Sequence, residues 1–252
     1  MRNMNLDLRQ QRVFDGVELV GGTGAPNLGQ MCIMSFVACL AGEGHTDCPT
    51  CASPLIRAFA IPLNDGMPRE VRQRLKSFAP RIIGTNDGFD AARAELLAHT
   101  LAEEILPKAA AQYLTLPQAA PGRAGLLRHL WMWVRRDELQ HRITRLLEQV
   151  GSRQSVGHEA DLASGAARLV ILCARNAPSA QEAEWYWARA IGLLDKLCDI
   201  GAFERRPSEM RPDRLEWLER ILEERERAAA AAPSDAFLWV MLPFSAKSGT
   251  DT

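Results

Sequence analysis

The sequence predicts a mainly α-helical protein, a multi-helix array with a small, metal-pinned N-terminal module. Three observations predict it. After residue 86, apolar residues recur every three or four positions over long stretches, the spacing of one helix face. No alternating strand–helix rhythm and no internal repeat runs through the 252 residues. Four of the six cysteines, Cys32, Cys39, Cys48 and Cys51, crowd into one short stretch near the start.

Composition sets the bounds. At 47% hydrophobic and 24% charged residues the chain has material for a sizeable core, which excludes a disordered chain. A formal net charge of -1 excludes a strongly basic nucleic-acid-binding tail. No run approaches the roughly 18 apolar residues that span a bilayer, so no membrane partner is expected. The opening MRNMNLDLRQQRVFDG lacks the apolar core of a secretory signal, which predicts a cytoplasmic protein. Thiols there are kept reduced, so clustered cysteines suggest metal binding or thiol chemistry rather than disulfides. Only four of the 30 basic residues are lysine, a bias expected of a GC-rich bacterial genome.

Residues 1–20 carry one weak signal, a short strand at 17–20. The glycine-rich GGTGAPNLGQ that follows reads as a flexible connector. Its Gly24-x4-Gly29 lacks the lysine and hydroxyl of a phosphate-binding loop. MCIMSFVACLAG, 31–42, is apolar nearly all round, as a buried helix closed by Gly42 would be. A turn-rich loop occupies 43–54, then a short helix that Pro62 should interrupt. At 68–80 Pro68 opens a helix with Val71, Leu75 and Phe78 on one face, and Pro80 lies past its end. The segment 89–114 places Leu97, Leu101 and Ile105 on one stripe, with Pro107 expected to kink or end it. A linker at 116–125 precedes helical patterns at 123–151, 158–177 and 179–201. Ser179 and Glu182 match a capping box, and Gly201 a helix stop. A last helix, 213–232, has Leu215, Leu218 and Leu222 on one face. FLWVMLPF at 237–244 is apolar enough to require docking on the body or a partner. The domains read as 1–85, the Cys/His-containing module; 86–232, a helical domain; and 233–252, a tail docked in part.

His45-x2-Cys48-x2-Cys51 carries the strongest chemistry. A Cys-x2-Cys pair in a turn can aim two thiolates at one tetrahedral ion, and zinc suits sulfur and imidazole ligands. The predicted zinc ligands are Cys32, His45, Cys48 and Cys51, with Cys39 read as core. Cys48-Pro-Thr-Cys51 also has the form of a redox dithiol, although no strand precedes it. In a further reading Cys32, opening a helix after a glycine-rich loop, is the nucleophile of a cysteine hydrolase or acyltransferase. Such an enzyme needs a histidine base from among His45, His99, His129, His141 and His158.

Other motifs read as structural. Glu138-x2-His141 is half of a di-iron motif without its second half. A basic stretch, Arg69 to Arg81, and a second around Arg123 to Arg145 with Trp131 and Trp133 could hold nucleic acid. A solvated helix face is favoured for both. Of Trp185, Tyr186 and Trp187, one or two should be core and the remainder a contact surface. Cys173 and Cys198 are expected to pack in the core.

Cys32, Met34, Val37, Ala41, Gly42, Glu43, Asp47, Pro49, Cys51 and Pro54, followed by Asn64-Asp65 and Ile83-Gly84-Thr85, form an ordered pattern. It resembles a family of uncharacterised bacterial and phage proteins with a Met-Cys-x-Met-Glu-Ala-Val helix, a Gly-Glu turn and Asp-His-Pro-x-Cys. The resemblance covers a quarter to a third of the chain and implies a shared N-terminal module. Ser35 stands where that pattern has glutamate, and Cys48 where it has histidine.

The sequence thus predicts a helical binding or scaffold protein with a structural Cys/His zinc site and a protein partner. A Cys32 enzyme and a nucleic-acid-associated protein are its alternatives.

Overall fold

A computed structural model describes residues 2–115, 137–146, 148, 158–204 and 210–231. It is mainly helical, with one small sheet near the N-terminus. The calls on 116–136 and on 233–252, including Trp131, Trp133, His129 and the apolar FLWVMLPF, lie outside the described residues.

The first helix, α1 (Arg2–Gly16), has no counterpart in the sequence reading. Its partner comes from the far end of the chain, α11 (Pro212–Ala231). Arg9 pairs with Glu216 and Glu219, Arg12 with Glu219, and Gly16 lies against Leu222, so the two helices run in the same direction. Leu215, Leu218 and Leu222 face inward as the periodicity required.

The glycine-rich segment is ordered, contrary to its reading as a flexible connector. β1 (Glu18–Leu19) pairs parallel with β3 (Gln30–Met31), and β2 (Gly24–Ala25) pairs antiparallel with the same β3. Gly24 has φ 78°, and a Cβ there would meet the Gln30 carbonyl oxygen at 2.5 Å, so the close approach of β2 to β3 requires glycine. The open edge of β1 is covered by an amide side chain. Gln73 accepts from the Leu19 N–H at 3.0 Å and donates to the Leu19 carbonyl at 2.9 Å.

α2 (Ile33–Ala41) follows β3 and is buried from Ile33 to Leu40, ending at Gly42 with φ 83°. α3 (Pro54–Gly66) runs unbroken through Pro62, where the sequence suggested an interruption. Its inward face, Leu55, Ile56, Phe59, Ala60 and Leu63, is fully buried. That burial outweighs the hydrogen bond that Pro62 removes. Next come α4 (Arg69–Gln73), a 3-10 turn (Arg74–Phe78) and α5 (Ala79–Ile82). Pro80 sits in the first turn of α5 rather than beyond a helix, a position where its missing N–H costs nothing.

α6 (Asp90–Thr100), a π-helical turn (Leu101–Ile105) and α7 (Leu106–Thr115) form one continuous rod. Pro107 does not end it. The wide turn just before the proline relieves the clash its ring would make one turn back. After α8, at 137–146, α9 (His158–Arg175) and α10 (Ala180–Asp199) pack against α3 and α6. α9 packs against α3, and its Ala163, Ala166, Ala167, Val170 and Ala174 are buried, small side chains that let neighbouring helices approach closely. At Gly66 the approach is tighter still, since a Cβ would lie 2.5 Å from Ile171. One buried cluster runs from Val13 through α3, α6, α9 and α10 to Leu222, crossing residue 85 without a break.

The turn at 84–90 is fastened by Arg93, whose side chain is 0% exposed. Its guanidinium donates to Asp87 at 2.7 Å through both terminal nitrogens and to Asp90 at 2.9 Å. It also donates to the carbonyls of Thr85 (2.9 Å), Leu197 (3.1 Å) and Ile200 (3.0 Å). The last two belong to the C-terminal end of α10, where orphan carbonyls and the helix dipole favour a cation. All five N–H donors are thereby used, the condition for burying such a charge.

Replacing Arg93 with methionine takes the guanidinium away from Asp87 and Asp90 and removes its bonds to the Leu197 and Ile200 carbonyls. The expected loss is about 3–5 kcal/mol of stability in urea unfolding. Adding Asp87→Asn to that variant should cost less than the sum of the two single changes.

Candidate functional site

The cysteine-bearing loop begins where α2 stops. Gly42 and Glu43 turn the chain by donating their N–H groups to Cys39 (3.1 Å) and Ala38 (2.8 Å) carbonyls. The Glu43 side chain then folds over the far limb of the loop. Its carboxylate accepts from the Thr50 N–H at 2.6 Å, the Thr50 hydroxyl at 2.9 Å and the Cys51 N–H at 2.9 Å. The Cys51 thiol lies beside the same carboxylate. Burial raises the Glu43 carboxyl, but these bonds to its ionised form outweigh that and hold it below its ordinary value of 4.5.

The loop is fixed from below through Cys51 and Ser53. The Cys51 carbonyl accepts from Gly84 (2.9 Å) and Asn86 (3.1 Å), and the Asn86 amide donates to the Thr50 carbonyl at 2.9 Å. Ser53 donates its N–H to the Thr85 hydroxyl at 2.9 Å and its hydroxyl to Asp90 at 2.6 Å, while capping α3 by accepting from Ile56. Asp90 is shared with Arg93. The outer rim, His45, Asp47, Cys48 and Thr50, is exposed.

The four predicted zinc ligands lie in different settings. Cys32 is 3% exposed and serves as the N-cap of α2, its sulfur accepting from the Ser35 N–H and bonded to the Ser35 hydroxyl, each at 3.2 Å. His45 and Cys48 are exposed and Cys51 is half-buried against Glu43. Burial, and then the adjacent carboxylate, push the Cys51 thiol up to about 12. Among the described residues, no group of three or more His, Cys, Asp or Glu side chains is gathered so that it could hold a metal. As for a base beside Cys32, His45, His99 and His141 are all exposed, and His141 is bonded to the Asp137 carbonyl.

Glu43 stands in the sequence pattern, but its role as the acceptor that fixes the loop was not read from it. Its signal was a carboxylate placed directly after a helix-stopping glycine and before a tight turn. The core assignments for Cys39, Cys173 and Cys198 match their burial of 5%, 0% and 1%. Tyr186 and Trp187 are core, and Trp185 lies half-buried under the cations of Lys108 and Arg189.

The first basic stretch is largely consumed within the fold. Arg69 pairs with Glu18, Arg74 with Glu184, and Arg81 with Asp195 and Asp199. Arg72 donates to the carbonyls of Asn64 and Met67, and Lys76 to those of Phe14 and Val17 at the end of α1. These side chains act as clasps between elements. A separate cleft of about 1080 Å³ between α8 and α9 is lined by both signs of charge, including Arg145, Arg168, Glu138 and Asp161. Among the described residues, no helix is long and apolar enough to cross a membrane.

Because the folded Glu43 carboxyl lies below its ordinary value, its contribution is full above about pH 4.5 and fades as the solution is acidified through the folded value. Glu43→Gln should lower stability at neutral pH by about 1 kcal/mol, the partial exposure of the site keeping the figure small. Melting curves from neutral to acidic pH should show the two proteins converging below pH 4.5. Compared with protein families, characterised proteins and solved structures, the chain has no match in any of the three.

Proposed function

We propose that the protein is a helical binding module that presents the loop 43–52 to a protein partner. One observation carries this reading: the loop is exposed at its rim yet its far limb is already fixed by the Glu43 carboxylate. Ordering a surface loop at the moment of binding costs about 0.5–1.5 kcal/mol for each immobilised side chain. Here backbone donors at Thr50 and Cys51 are held before any partner arrives. Function is carried disproportionately by loops positioned on a rigid scaffold, and His45, Asp47, Cys48 and Thr50 offer a compact polar surface of that kind. The predicted zinc site on Cys32, His45, Cys48 and Cys51 is a competing proposal. It requires Cys32 to leave its place as the cap of α2.

Photo-crosslinking in the source cells tests the reading. A photoreactive residue at Asp47 or Thr50 should capture one defined protein, and the same group at Arg220, on the exposed face of α11, should not. Identical products at all three positions, or none at the loop, would contradict it. Elemental analysis of the purified protein separates the zinc proposal. Near-stoichiometric zinc, with a melting temperature that chelation lowers, would assign the loop's order to a metal.

A further inference from the structure

We propose that Cys48 and Cys51 are a gated dithiol, closed into a disulfide by a low-molecular-weight disulfide such as oxidised glutathione. The chemistry stands whether or not the loop has a protein partner. All six cysteines are free, but four are buried: Cys32, Cys39, Cys173 and Cys198. Cys48 is exposed, and Cys51, three residues on, is half-buried. Cys48 precedes, and Cys51 lies within, a turn in which the Ala52 N–H meets the Pro49 carbonyl at 3.4 Å. The outer sulfur is therefore offered to solvent, and the inner one is half-buried on a residue whose N–H the Glu43 carboxylate holds at 2.9 Å.

The steps balance. The Cys48 thiolate attacks one sulfur of the small disulfide, whose S–S bond breaks and releases one thiolate. The product is a mixed disulfide on Cys48. Cys51 then gives up its proton to water, and its sulfur attacks the Cys48 sulfur. The second small thiolate departs and is protonated. Two protein thiols have lost two electrons, and one small disulfide has become two thiols. Glu43 is the gate, because its carboxylate pins the Cys51 N–H at 2.9 Å and the second step requires Cys51 to bring its sulfur round to Cys48.

The test is incubation of the full-length protein with reduced and oxidised glutathione, followed by acid quenching, alkylation, mass measurement and peptide mapping. The wild type should lose two hydrogens, with Cys48 and Cys51 alone protected from alkylation. Cys51→Ser should stop at one glutathione bound to Cys48. Glu43→Gln should close several-fold faster than the wild type. A wild type that accumulates glutathione on Cys48 with Cys51 still alkylated would overturn the proposal, as would one in which both remain alkylated. Equal closure rates for the wild type and Glu43→Gln would overturn the gate. The Cys51→Ser arm and the wild type decide the disulfide even if Glu43→Gln fails to fold.

Discussion

The buried guanidinium of Arg93 is the constraint from which the ordered N-terminal surface follows. It is fully enclosed, so it must be completely bonded, and the groups that bond it come from three places: the 84–90 turn, the start of α6 and the end of α10. Fixing that turn fixes Thr85, which holds Ser53, and Gly84 and Asn86, which hold Cys51. Asp90 meets both Arg93 and Ser53, so the same carboxylate anchors the guanidinium and the cap of α3. The Glu43 clamp then closes the remaining limb from above. A polar chain of contacts thus leads from the helical core to an exposed loop.

Charge works elsewhere as a fastening too. The basic stretch 69–81 could be read as a surface for phosphates, but its side chains are bonded to α1, β1 and α10. Arginine suits this role because its planar fork can bridge a carboxylate and a carbonyl together. Exposed pairs of this sort each contribute little. Arg93 differs because removing it would strand buried partners.

Much of the helical architecture was legible because amphipathic spacing is local. Leu97, Leu101 and Ile105, and Leu215, Leu218 and Leu222, mark faces that the structure buries. Ser179 and Gly42 mark ends by capping chemistry, also local. α1 was not legible, since its partners Glu216 and Glu219 lie some two hundred residues away. Pro62 and Pro107 misled because burial and a π-helical turn absorb what proline removes. At the site, the motif residues Glu43, Cys51, Gly84 and Thr85 were visible by type but not by role. Cysteine spacing drew attention to the sulfurs, whereas the contacts that hold the loop run through a carboxylate and backbone groups. Arg93 gave only an Asp90–Arg93 spacing, and nothing local says that it is buried under α10.

The most direct test of this account is hydrogen–deuterium exchange on Arg93→Lys beside the wild type. The account predicts that the amides of Thr50, Cys51, Gly84 and Asn86 exchange faster in the variant, while those in the centre of α9 stay protected. Unchanged protection at Thr50 and Cys51, with Gly84 and Asn86 loosened, would contradict it by showing that the loop holds its shape without support from the buried guanidinium.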